Sequence, residues 1–516
     1  MNKIASLALV AVILLGASPV QASANVTQAP GQLPLFETTE FFFEFSGWKG
    51  NPFDVIALAK FVHVPTNQTR VTELFYVGDN RWSFRFTGDK LGKWRWKTLS
   101  QHSALNGHSG KIELIPQENP DIKGFLSHDG NQYVRQNHLG EVEGALFYVY
   151  MNSVEYPTSN NKPASEPALG RFHDESYIDA YLDDAWRHGF DTVFVLVGEP
   201  ELWMNSTKLD AEPNLPIFDI LDNIIKRAHG RGMRVHLWKW KDAQRGSTPN
   251  QFAGGVNGVV DQRLQRYIAA RLGPLPGWSM SYGFDLHEWT NSDQLNAWVN
   301  YLHQHMGWDH LLASRGFRLE SAVNVINSYD GYGRKVELTT TYAGPKDYRE
   351  IREDMDSDLS RPHLYEERHS YRRPGHKLDM DGTRRLLWWS AMAGGMGGFV
   401  GFFGEDRGAY GGYPYPAPEQ LKVFGEFWRQ HWRSDYKVCN QFSNGYGLCG
   451  AKRFVFYRTA AKKIKMELPE FEGELRFRAL NTVTGEWLDV GMKKSTFREF
   501  VAPRRSDWLL VAGDFQ

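Results

Sequence analysis

Two short stretches carry the side chains best suited to chemistry. "YGFDLHEW" places Asp285, His287 and Glu288 within four residues, and "RPHLYEERHSYR" sets Glu366, Glu367 and Arg368 side by side. In each, an apolar strand-like run ends and charged residues follow at once. Two carboxylates delivered by different strand ends suit the cleavage of a glycosidic bond. One, kept protonated, assists the leaving oxygen; the other, ionised, attacks carbon or activates water. A single carboxylate at a strand end often caps a helix or pairs with arginine instead, so the argument rests on the two stretches together.

The sequence between about 121 and 434 supplies the elements that must position them. "ALFYVYMNS", "DTVFVLVG", "RVHLWKW", "WSMSYGFDLHEW" (278–289), "HLLASRG", "VELTTTYAG", "RPHLYEE" and "GFVGFFG" alternate with amphipathic patterns such as "IFDILDNIIKRAHGRG". Eight strand–helix units are the count for a (β/α)8 barrel, in which active residues gather where strands end. Acidic residues at those points are Glu199, Asp285, Glu288, Glu366, Glu367, Glu405 and Asp406. Strands four and seven lie across the mouth from each other, so one carboxylate from each can face a common substrate. The apolar run from Leu386 to Phe403 reads as a buried helix entering strand eight, because glycine pairs interrupt it and Arg384 and Arg385 flank it.

From 30 to 120, short aromatic runs such as "RWSFRF" and "KWRWKT" alternate with period two between Gly, Asn and Asp turns, the pattern of an N-terminal β-sandwich. From 435 to 516, "RFVFYRTA", "KIKMELP", "GELRFRALN", "STFREFVAP" and "SDWLLVAG" indicate a small all-β domain. Residues 1–24 have the basic start, apolar run and small-residue end of a secretory signal peptide, which makes the mature chain secreted or periplasmic. Cys439 and Cys449 flank an Asn-Gly turn. In an oxidising compartment they either close one hairpin as a disulfide or remain two free thiols.

The charge balance, 59 basic against 60 acidic residues, points to neither a nucleic-acid nor a membrane-surface partner. With 18 Trp, 22 Tyr and 32 Phe, the chain has more rings than most; the majority belong in cores, but flat apolar faces also serve sugar clefts. On strand three, His236, Trp238 and Trp240 fall at alternate positions and share a face. Trp240, nearest the strand's end, either stacks on a sugar or packs against another indole. Arg315 ends strand five and Tyr342 ends strand six, with Tyr329 a rival to the latter.

"YGFDLHEW", "HMGWDHLLASRG", "RPHLYEERHSYR" and "RRLLWWSAMAGG" together resemble the clan of retaining barrel glycoside hydrolases whose acid/base follows strand four and whose nucleophile follows strand seven. The flanking "FEFSGWKGNPF", "ALNTVTGEWLDVG" and "SDWLLVAG" resemble the β-domains of secreted bacterial members, so the likeness spans nearly the whole mature chain. It implies Glu288 as acid/base, Glu366 as nucleophile, no cofactor or metal, and a β-linked algal or plant cell-wall polysaccharide as partner, with an agarase-like activity on an agar-type galactan as the most concrete form. Where many members have Asn before the acid/base, this chain has His287, and Asp285 is the fallback acid. Glu367 is the alternative to Glu366, and Arg368 either holds Glu367 or keeps the nucleophile ionised. A disabled, sugar-binding barrel is the rival reading. A polysaccharide lyase fits paired carboxylates poorly.

Overall fold

The computed structural model describes residues 31–152, 172–241, 246–284, 286–316, 333–341, 347–365, 379–401, 403 and 414–515. The leader-like first 24 residues lie outside that set.

Strict alternation builds the first layer. In Gly92–Ser100, Trp94 and Trp96 are buried while Lys93, Arg95 and Lys97 are exposed. This strand sits in a five-stranded sheet with Gln32–Pro34, Ala57–His63, Thr69–Glu73 and Ser109–Ile115. A three-stranded sheet of Thr38–Glu44, Phe75–Gly78 and Arg81–Thr87 packs against it. Phe41 and Phe84 stack with centroids 4.7 Å apart, and Phe61 and Phe86 do the same at 4.7 Å. Full burial of each such side chain is worth roughly 1.5–3 kcal/mol.

A small antiparallel meander follows, made of Leu126–Asp129, Gln132–Gln136 and Val142–Gly144. This stretch falls within the 121–434 segment expected from the sequence to form the barrel. Its strands are short and polar, with turns at Gly130 and Gly140, and Tyr133 and Leu126 join the barrel's core from below the first barrel strand.

Barrel strands 1 to 7 are Val149–Asn152, Thr192–Leu196, Arg234–Trp240, Trp278–Gly283, Leu312–Gly316, Leu338–Thr341 and His363–Tyr365. All neighbours are parallel. Strand 8 comes in two pieces about Gly398: Met396–Gly397 pairs with strand 7, and Phe399–Gly401 pairs with strand 1, which closes the ring. Within 386–403, the helix Met380–Met392 runs into this last strand. Among the described residues no helix is long and apolar enough to cross a membrane.

The C-terminal sheet has six antiparallel strands between Lys437 and Ala512. Val455, Tyr457, Leu509 and Val511 turn one face into the barrel's core, while Phe454, Phe456, Trp508 and Leu510 build a separate core on the other. "RFVFYRTA" and "KIKMELP" form one long strand, Phe454–Lys465, rather than two, and "STFREFVAP" and "SDWLLVAG" likewise form Glu499–Ala512. The turn-like residues between them are absorbed as register shifts around Ala461, with Ala460 at φ 45°. Cys439 and Cys449 are joined as a disulfide, their Cα atoms 5.9 Å apart.

The sandwich docks on the side of the barrel through buried charge. Arg85 of the sandwich meets both oxygens of Asp222, at 2.8 and 2.6 Å, and Arg271 reaches the same carboxylate at 2.8 Å. Burial alone would raise the Asp222 pKa, but the two guanidiniums outweigh it and hold the carboxyl below its usual range. Loss of one partner strands the others. Asp222→Ala is therefore expected to cost about 3–5 kcal/mol, read as an early loss of structure in a denaturant melt.

A second pin sits at the foot of strands 5 and 6. His303, closing the helix Ser292–His305, lies 2.5 Å from Glu337 and 3.6 Å from Asp309, and Glu337 also accepts from the Leu312 amide at 3.1 Å. Burial would lower the imidazole pKa; the two carboxylates overcome this and raise it from 6.5 to about 10. A raised pKa means that the stabilisation is full below pH 6.5 and is lost as pH climbs towards 10. In His303→Gln, the fall of the thermal midpoint across that alkaline window should flatten relative to the wild type.

Candidate active site

Lateral neighbours in a parallel sheet share a face, so the register decides which side chains look into the barrel. His236 pairs with Phe194 and Ser279, and Trp238 with Leu196 and Ser281. Ser281 pairs with Ala313; two residues on, Arg315 pairs with Thr340, and Thr340 with Leu364. This row faces inward, because Trp238 of strand 3 touches Arg315 of strand 5 although strand 4 separates them in the sheet. The opposite row faces the helices: Lys239 bonds Asp261 of the helix Val259–Arg271 at 3.2 Å, and the Tyr365 hydroxyl donates to Asp354 at 2.9 Å. Burial draws the Lys239 pKa down, with Asp261 opposing it.

The centre of the mouth is built on Arg315. Its guanidinium carbon lies 4.9 Å from the Trp238 ring centroid and 4.8 Å from that of Phe284, and the residue is only 5% exposed. Phe284 meets Trp238 edge-on at 82°. A guanidinium in contact with two aromatic rings thus sits next to the strand-4 turn.

That turn carries Glu288. Strand 4 ends at Gly283, not at residue 289 as its apolar sequence suggests. A Cβ on Gly283 would lie 2.8 Å from the Trp240 carbonyl oxygen, so only glycine permits this approach, and the Phe284 amide then donates to that oxygen at 3.2 Å. Leu286–Glu288 forms a single 3₁₀ turn. Trp289 locks it: its amide donates to the Leu286 carbonyl and its indole N–H to the Phe284 carbonyl, each at 3.2 Å. Glu288 is exposed on a turn held at both ends. The His287 backbone belongs to the same turn; its side chain lies outside the described residues.

The remaining expectations divide. His236 is fully buried, with Nδ1 2.8 Å from Ser279 Oγ, and lies deep in the barrel beneath Trp238. Trp240 is also fully buried, packed on Trp203 and Phe252 with centroids 6.5 and 5.5 Å away, which is the packed-indole alternative and leaves no face for a sugar. Glu199 is ion-paired with Lys241 and accepts from Ser247 Oγ at 2.6 Å, a structural tie between the ends of strands 2 and 3. Asp285, Tyr329, Tyr342, Glu366, Glu367, Arg368, Glu405 and Asp406 lie outside the described residues. Phe284 is not legible in the sequence, since a lone Phe beside a Gly has no chemical signature. Among the described residues no group of three or more His, Cys, Asp or Glu side chains could hold a metal ion.

Comparison with known proteins bears on the fold. A family model described only as a domain of unknown function, DUF5060, matches residues 32–101, within the sandwich. No curated protein matches. A solved structure of a putative glycoside hydrolase from Bacteroides vulgatus superposes with a TM-score of 0.68 over 94% of this chain and 100% of its own, at 14% identity. The fold is shared with solved glycoside hydrolases. A family 5 glycoside hydrolase from the same organism superposes at 0.56 over 78% of this chain and 94% of its own, also at 14% identity. A third, described as a glycoside hydrolase, gives 0.55 over 78% of this chain and 98% of its own at 15% identity.

Gly283→Ala tests the turn. Forcing a methyl against the strand-3 backbone is expected to cost about 1–3 kcal/mol and to shift the Glu288 turn, read as a lower thermal midpoint. Unaltered stability would show that strands 3 and 4 do not approach this closely.

Proposed function

We propose that this chain is an exported retaining glycoside hydrolase acting on β-linked cell-wall polysaccharide, with an agar-type galactan the substrate to try first. The observation that carries the reading is the fold, shared over 94% of the chain with a putative glycoside hydrolase, combined with a buried strand-5 arginine, Arg315, packed on Trp238 of strand 3 and on Phe284 just past strand 4. The leader-like N-terminus and the Cys439–Cys449 disulfide support export.

In this reading Glu288 protonates the leaving oxygen while Glu366 attacks the anomeric carbon, breaking the glycosidic bond and forming a glycosyl-enzyme ester. Glu288 then takes a proton from water, whose oxygen displaces Glu366 with a second inversion. Retention requires the two carboxyl groups to lie about 5–5.5 Å apart. Strand alternation favours Glu366 over Glu367: Leu364 faces inward and Tyr365 outward to Asp354, so the next position returns to the inner face. Arg315 then supplies, with Arg368, positive charge that keeps the nucleophile ionised at neutral pH. Its fork also suits sugar hydroxyls or an acidic substituent. Asp285 is the alternative acid, and His287 and Tyr342 are assigned to substrate positioning.

The test is reducing-end release from a panel of algal and plant polysaccharides. The wild type is expected to cleave one polymer, and Glu288→Gln and Glu366→Gln each to lose about 10²–10⁴-fold in rate. Full activity in either variant would reject that residue, and wild-type silence with binding retained would favour a binding protein.

A further inference from the structure

At the end of the barrel away from the mouth, a cleft of about 680 Å³ opens between the meander, two barrel helices and the chain leaving for the C-terminal sheet. Its lining fixes its place: Gly144, Asp191 and Gly232 each precede a barrel strand, while Trp186 and Arg429 lie in the last turns of the helices Glu175–Arg187 and Pro418–His431. A second hollow of about 460 Å³ shares Arg433 and Asp435 with it and continues onto the C-terminal sheet. Both volumes fall within the range of about 300–1,000 Å³ usual for ligand sites. Neither is lined by any residue assigned to the active site.

Some charges in the cleft are committed to each other. Glu143 lies 2.9 Å from Arg135 and 3.5 Å from Lys123, and Asp191 is held by Arg234 at 2.5 Å. Arg429 and Arg433 differ: among the described residues neither has a carboxylate within ion-pair distance. The Arg429 guanidinium carbon lies over the Trp186 ring, 3.7 Å from its centroid, with Nη2 donating to the Gly189 carbonyl at 2.9 Å. Arg433 uses Nη1 on the carbonyls of Gln430 and Trp432, at 2.9 and 2.8 Å. Each fork is thus oriented by backbone while part of its donor set stays open. Beside them, Asp121 and Ser434 are exposed and Trp186 keeps 38% of its surface in solvent.

We propose that this cleft is a second saccharide-binding site, for an oligosaccharide segment bearing a carboxylate or sulfate group. Arg429 and Arg433 take the acidic group, for which a planar two-pronged donor is suited. Asp121 and Ser434 take ring hydroxyls, and the open part of Trp186 packs on the sugar. A lining that offers donors and acceptors together fits a polyhydroxylated acid better than a bare anion. The choice of a saccharide rests on the proposed function; the cleft and its uncommitted cations do not. Such a site would hold a polymer carrying acidic groups, such as a sulfated galactan, at the back of the barrel and raise its effective concentration at the mouth.

The test uses the full chain carrying Glu288→Gln, to suppress turnover, in calorimetric titrations at low salt. The probes are trigalacturonate, a carrageenan-derived sulfated tetrasaccharide, neutral agarotetraose and inorganic sulfate. Arg433→Glu and Trp186→Ala are compared with the parent; Arg429 is left alone because it also holds the Gly189 backbone, and thermal midpoints verify folding. One acidic oligosaccharide is expected to bind, with Kd raised at least tenfold in each variant and with agarotetraose and sulfate at least tenfold weaker. Absence of binding by both acidic oligosaccharides, equal Kd in parent and variants, or sulfate binding as tightly as the saccharide would overturn the site. Failure of the proposed function shows separately, as wild-type protein that releases no reducing ends.

Discussion

A guanidinium buried between aromatic rings is the constraint around which the barrel mouth is arranged. Taking a charged group out of water is costly unless nearby groups compensate. The faces of Trp238 and Phe284 supply part of that compensation, and they also fix the neighbours. Phe284 reaches the guanidinium only because strand 4 stops at Gly283, and the same stop creates the turn on which Glu288 stands. The candidate site and the packing around it thus share one set of contacts.

The flanking domains hold that arrangement from outside. The Arg85–Asp222–Arg271 cluster fastens the sandwich to two barrel helices, and Trp308, ahead of strand 5, inserts into the sandwich core and donates its indole N–H to the Thr87 carbonyl at 2.8 Å. On the other side the C-terminal sheet gives one apolar face to the helices Met380–Met392 and Pro418–His431, where Trp388 stacks on Tyr457 with centroids 5.5 Å apart. The three apolar layers are therefore mechanically continuous, and damage to either flank should reach the barrel.

Much of this was legible in the sequence, for identifiable reasons. Period-two alternation in "KWRWKT" and the eight strand–helix repeats follow from which faces must be buried, so the sandwich and barrel were readable. What failed to show depended on contacts between residues distant in sequence. Nothing local marks Trp240 as sealed by Trp203 and Phe252, or Glu199 as tied to Lys241. The end of strand 4 at Gly283 is set by the close approach of strand 3, and the apolar residues beyond it mimic a longer strand. Each long strand near the C-terminus reads as two in the sequence because a bulge and a turn use the same residue types.

The most direct test of the central claim is covalent trapping. Incubation with a set of activated 2-deoxy-2-fluoro-β-glycosides, galactoside included, followed by peptide mapping by mass spectrometry, asks which carboxylate becomes glycosylated. The account predicts a single adduct, on the peptide bearing Glu366 and at that residue. An adduct at Glu288 or Glu367, or turnover of these glycosides with no adduct while the polymer is cleaved with inversion, would contradict it.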